Sequence, residues 1–164
     1  FVNLPLWCPN SDKQRNECMQ YWPMNNIIAV PKLPIDPISM HSSIFEKILN
    51  DKSVIIKSPN SVKVISSAKS DCLHCDGNIH HGVMSALGEA SKNAVKSDSY
   101  LCTGLDVYCY YEPCIMCTMA MVHSRVERLF FVMENPDFGG ILSQAQVHSN
   151  PKINHRFRAF KLKM

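Results

Sequence analysis

Apolar and polar positions along the chain repeat with two different periods, and the switches between them mark out the elements. Ile44, Phe45, Ile48 and Leu49 fall at helical spacing and predict a short amphipathic helix. Val54-Ile55-Ile56 and Val62-Lys63-Val64-Ile65 predict two strands joined as a hairpin across residues 57–61, a stretch containing Pro59 and Asn60. After a polar stretch over 66–78, Val83, Met84, Leu87, Ala90 and Ala94 line one face of a second helix. Leu105, Val107, Cys109 and Tyr111 alternate with Asp106, Tyr108 and Tyr110, which predicts a third strand. Glu112-Pro113 then opens a helix over 113–124, with proline at its first position. That helix carries Ile115, Met116, Met119, Ala120, Met121 and Val122, is apolar nearly all round, and is expected to be buried. Leu129-Phe130-Phe131-Val132-Met133 has the continuous apolar character of a central strand covered on both faces. A glycine loop at Gly139-Gly140 leads to a basic end over 154–162, read as a last strand or a short helix. The succession predicts a layered α/β domain over residues 41–164.

Residues 1–40 break this pattern. They hold six of the ten prolines together with Trp7 and Trp22, and are read as an extended arm or linker. The chain opens Phe1-Val2-Asn3 with no signal-like segment, so it is expected to begin partway through a longer polypeptide whose N-terminal region is missing here. A length of 164 residues suits one compact domain with an arm. With 46% hydrophobic and 19% charged residues the composition is globular, not disordered. No apolar run approaches the length of a membrane-spanning helix, so no membrane partner is expected.

Eight cysteines and seven histidines change the picture more. Cys72/Cys75 and Cys114/Cys117 are Cys-x-x-Cys pairs. In a chain without a secretion signal that spacing favours metal over a disulfide framework, and an intracellular setting. Cys114 and Cys117 lie three apart at the start of the predicted third helix, so both sulfurs project from one face of its first turn. The helix N-terminus there favours the thiolate, the form that binds metal. A zinc ion needs two further ligands, and His80, His81 or the pair Cys72/Cys75 could supply them.

His81-Gly82-Val83 followed by Pro113-Cys114-Ile115-Met116-Cys117 resembles the His-x-Glu…Pro-Cys-x-x-Cys signature of the zinc deaminases. Glu112 before the proline, and Val122-His123-Ser124-Arg125-Val126 after the cysteines, extend the resemblance to the tRNA adenosine deaminase branch of that family. The family implies a three-layer cytidine-deaminase-like α/β fold, with a central mixed sheet of about five strands flanked by helices. It also implies zinc held by His81, Cys114 and Cys117.

The signature is broken at one place. In an active zinc deaminase the residue two after the ligand histidine is a glutamate that carries protons between the attacking water and the base. Here it is Val83, which can carry none, and general acid–base catalysis alone is worth about 10²–10⁴-fold. Glu89 falls on another face of its helix, and Glu112 is read as an N-cap. A valine in this slot is similar to the non-catalytic subunits of eukaryotic heterodimeric tRNA adenosine deaminases, which act at the anticodon wobble position. Tyr21-Trp22-Pro23, Leu101-Cys102-Thr103-Gly104 and Ile153-Asn154-His155-Arg156-Phe157 fit the same resemblance. It implies a partner chain that keeps His-x-Glu, tRNA as the shared substrate, a nuclear or cytoplasmic location, and a structural role for zinc. Two other readings stand beside it: a binding-only module with a four-cysteine zinc site, and an active deaminase with an unrecognised base. The formal charge of +3 is uneven, −1 over residues 1–124 (10 basic, 11 acidic) and +4 over 125–164 (7 basic, 3 acidic). Lys152, Arg156, Arg158, Lys161 and Lys163, interleaved with Phe157 and Phe160, are therefore candidate contacts to nucleic acid.

Overall fold

The structure, a computed structural model, describes residues 42–59, 61, 63–69, 81–96, 101–150 and 152–162. The arm expected over residues 1–40, and Cys72, Cys75, His80 and Lys163, lie outside the described residues. The elements are α1 (Ser42–Asp51), β1 (Ser53–Lys57), β2 (Val64–Lys69), α2 (Gly82–Lys96), β3 (Asp106–Tyr111), α3 (Ile115–His123), β4 (Arg128–Met133), a 3-10 turn at Val147–Ser149 and β5 (Arg158–Lys161).

The strands form one five-stranded sheet in the order β2-β1-β3-β4-β5. β1 runs antiparallel to β2 and to β3, whereas β3–β4 and β4–β5 are parallel. The short connection after β1 permits an antiparallel hairpin, while two parallel neighbours need a crossover, which α3 supplies between β3 and β4. The mixed sheet flanked by helices that the family resemblance implies is the fold observed.

Because side chains alternate across a strand, the sheet feeds two cores. Val54, Ile56, Val107, Cys109, Leu129 and Phe131 pack with Val83, Ala86, Leu87 and Ala90 of α2 and with Cys117, Met121 and Val122 of α3. On the opposite face Ile55, Tyr108 and Phe130 pack with Ile44 and Ile48 of α1. An aromatic row reinforces that side: Tyr108 stacks on Phe130 at 4.8 Å and Phe130 on Phe160 at 5.1 Å between ring centres. Helix, sheet and helices make three layers, with α2 and α3 sharing one side.

Three local expectations change. β2 runs over 64–69, later than the sequence pattern suggests, because Ser66 is buried with its Oγ donating to Ala86 O at 2.8 Å. Asp106 and Tyr108, alternate positions of β3, are buried because β3 lies between β1 and β4 under both layers. The third helix begins at Ile115 with Cys114 as its N-cap, so Pro113 precedes the cap instead of occupying the first helical position. That helix is also not buried all round, since Ile115 and Met116 in its first turn are 44% and 41% exposed. The basic end resolves as a strand, β5.

Candidate metal centre

Two helix N-termini meet on one side of the sheet. His81 stands immediately before α2, Cys114 caps α3, and Cys117 lies in the first turn of α3. His81 Nδ1 is 3.4 Å from Cys114 Sγ and 3.3 Å from Cys117 Sγ, and all three side chains are buried. β3 delivers Pro113 and Cys114 from its C-terminal end, which is why residues 33 positions apart in the chain come into contact.

A helix N-cap ordinarily spends its side chain on the orphan N–H groups of the first turn. Cys114 forms no side-chain cap bond, and the N–H of Ile115, which opens the helix, donates to Phe138 O at 3.1 Å. The Cys114 sulfur faces His81. A hydrogen bond from Cys117 opposes the desolvation that would raise the Cys114 thiol, and with the His81 charge it lowers its pKa well below the usual thiol range. The direction of that shift favours the thiolate, the form that ligates metal.

The donor set fits zinc. With Zn–S near 2.3 Å and Zn–N near 2.0–2.1 Å, a tetrahedral ion holds its nitrogen and sulfur ligands about 3.5 Å apart. The observed nitrogen–sulfur separations are 3.3 and 3.4 Å. Among the described residues no fourth His, Cys, Asp or Glu joins the cluster. The three residues singled out by the signature are thus the three brought together.

Val83 lies in the first turn of α2, 1% exposed, in the same apolar cluster as Cys114 and Cys117. Glu89 is exposed. Glu112 is fully buried, but it does not cap α3 as the sequence suggests, because the helix begins beyond its reach. Its Oε1 accepts the N–H groups of Ile141, Leu142 and Ser143 at 3.0, 2.7 and 3.0 Å. Its Oε2 accepts Asn135 N–H at 3.1 Å and the Ser143 hydroxyl. Burial alone would raise this carboxyl, but the hydrogen bonds from Ser143, Leu142 and Asn135 outweigh it and hold the group below the usual range. Nothing in the helical or strand periodicity pointed to this network. The Gly139-Gly140 pair was its only trace in the sequence: a side chain at Gly139 would collide with the Glu112 carboxyl, and one at Gly140 with Thr118.

Among the described residues, the candidate basic side chains form no part of this cluster. Lys152 and Arg156 are exposed. Arg158 meets Glu127 at 3.4 Å, and Lys161 meets Glu134 at 2.6 Å.

Residues 48–133 match the family described as the cytidine and deoxycytidylate deaminase zinc-binding region. Over 74 residues the chain is 43% identical to a Rattus norvegicus protein named "Probable inactive tRNA-specific adenosine deaminase-like protein 3", covering 45% of this chain and 21% of that protein. Over 180 residues it is 27% identical to "tRNA-specific adenosine deaminase subunit tad3" of Schizosaccharomyces pombe, covering 96% of this chain and 57% of the relative. The chain therefore spans about a fifth and somewhat over half of these two relatives. Among solved structures, a chain from a study of A-to-I editing by tRNA:A34 deaminases superposes with a TM-score of 0.61. It is 18% identical, and the match covers 75% of this chain and 99% of that one. That likeness is one of fold.

Proposed function

Since the chain belongs to the zinc-binding cytidine and deoxycytidylate deaminase family, we propose that it is the non-catalytic subunit of a heterodimeric tRNA adenosine deaminase. One observation carries the reading. The ligand trio His81, Cys114 and Cys117 is intact, while the neighbouring position that must move protons is the buried Val83. Glu112 is no substitute, because both its oxygens are taken up by five donors. The names of the relatives, one a "probable inactive" deaminase-like protein and one a deaminase subunit, support the same reading.

On this reading zinc held by His81, Cys114 and Cys117 is structural. It fixes the N-termini of α2 and α3 against each other, and supplies charge to keep the thiolates ionised. The all-cysteine alternative is disfavoured by the placement of His81 against both sulfurs of α3. A partner chain that retains His-x-Glu carries out the chemistry on the wobble adenosine of tRNA. The basic edge at Lys152, Arg156, Arg158, Lys161 and Lys163 contributes phosphate contacts, with Arg158 and Lys161 partly offset by Glu127 and Glu134. Among the described residues no helix is long and apolar enough to cross a membrane; the complex works inside the cell, in the nucleus or the cytoplasm.

The test is inosine formation in tRNA by this chain alone, by this chain with its partner, and by this chain with a partner lacking its glutamate. Activity is expected only from the second mixture. Turnover by this chain alone defeats the proposal.

A further inference from the structure

Glu112 is a fully buried carboxylate that the proposed function leaves without a task. Its five donors all come from the segment between Asn135 and Ser143, which follows β4. The same segment grips the backbone on either side of Cys114. Phe138 O accepts the N–H of Ile115 at 3.1 Å, and Gly140 N–H donates to Pro113 O at 2.8 Å. Cys114 and Gly139 themselves pair as an isolated antiparallel bridge. Close approach is built in, since any side chain at Gly139 would strike the Glu112 carboxyl.

We propose that Glu112 is a positioning residue for the metal ligands. Its carboxylate folds residues 135–143 into a clamp, and the clamp sets the backbone that aims Cys114 and Cys117 at His81. The charge matters as well as the shape. Three converging N–H groups on one oxygen, and an N–H plus a hydroxyl on the other, call for an acceptor at both ends. A glutamine in the same place would turn an NH2 group toward the Asn135 N–H. Without the clamp, Phe138 O withdraws from the first N–H of α3, and the backbone on either side of Cys114 is no longer held. Partners that orient metal ligands in this indirect way typically change metal affinity by about 10–100-fold when removed.

The inference rests on the zinc reading of the cluster, and the experiment separates the two. The full chain and its Glu112→Gln and Ser143→Ala variants are loaded with zinc, and affinity is measured by competition with a chromophoric chelator. The cobalt-substituted proteins are compared by visible absorption, and hydrogen exchange follows the amides of 135–143. Glu112→Gln is expected to weaken zinc binding by about 10–100-fold, shift the cobalt absorption bands, and speed exchange in the clamp. Ser143→Ala, which removes one donor of the five, is expected to move all three in the same direction by less. Faster exchange with wild-type zinc affinity and an unchanged cobalt spectrum overturns the proposal, and leaves Glu112 as a loop anchor alone. Where Glu112→Gln fails to fold, Ser143→Ala decides by the same criterion. A wild-type chain that binds no zinc defeats the metal reading itself, and the positioning role with it.

Discussion

Arg128 donates to both oxygens of Asp106, Nε to Oδ1 at 2.7 Å and Nη2 to Oδ2 at 2.6 Å, from one central strand to the next. Neither side chain is exposed. Such a pair gains little over a well-packed apolar pair, but each half is costly without the other. Arg128→Met is therefore expected to lower unfolding free energy by about 3–5 kcal/mol. Arg128→Met combined with Asp106→Leu is expected to recover much of that loss. Urea denaturation of the single and double variants checks it, and an Arg128→Met cost below about 1 kcal/mol would contradict the burial argument.

Two methionines on one helix make a sharper comparison. Met121 is fully buried and Met116 is 41% exposed. Met121→Ala is expected to cost about 2–5 kcal/mol, and Met116→Ala to fall within about 0.5 kcal/mol of wild type. Equal losses in denaturation midpoints would mean that the first turn of α3 is covered.

Cys102 gives a prediction for the alkaline side. Burial raises its thiol pKa, outweighing a hydrogen bond with Ser91 that lowers it. A raised folded-state pKa means that the folded protein holds the proton more tightly. The contribution is thus intact below the unfolded thiol value near about 8.5, and fades as pH rises through the folded one. Cys102 should resist alkylation at pH 8 until the chain unfolds, as peptide mapping after timed iodoacetamide treatment would show. Wild-type and Cys102→Ala proteins should differ in the slope of stability with pH above that value. Parallel slopes would argue against a buried, protonated thiol.

Removal of metal should act on stability, not merely on the site. Chelation of the zinc-loaded chain is expected to lower its melting temperature, since binding confined to the folded state adds to folding free energy. His81→Ala and Cys117→Ser should each lower zinc content below one ion per chain and abolish the chelator's effect. Full zinc retention in His81→Ala would place the metal elsewhere.

What the sequence disclosed and what it hid follow from the range of the interactions. The strand at 129–133 was legible because a strand under two layers must be apolar on both faces, and buried Leu129 to Val132 show that directly, while Met133 at its end is exposed. Cys114 and Cys117 were legible as a pair because their spacing puts both sulfurs on one helical turn, whereas His81 was singled out from His80 and Cys72/Cys75 only by the resemblance to the zinc-deaminase signature. Asp106 and Arg128 were not legible. Inside strands read as alternating or plain apolar they look like exposed positions or flanks, and only the parallel register of β3 and β4 sets them opposite each other. Glu112 was assigned to the nearest local task, capping α3, because its real partners lie 23 to 31 residues further along. The start of α3 was missed by two residues, since the acceptor for its first N–H comes from Phe138 and not from a local side chain.

The place of β3 in the sheet also bears on when the metal site comes into being. β3 is hydrogen-bonded to β1 on one side and to β4 on the other, and its far end carries Cys114. His81 comes from before the strand, and Phe138, which holds Cys114 in place, from after β4. No local fragment of the chain contains all of these parts. The ligands meet only after pairings of long sequence separation have closed, and such pairings form slowly. Zinc uptake by the refolding chain should therefore follow the closing of these long-range contacts and not the formation of any single helix.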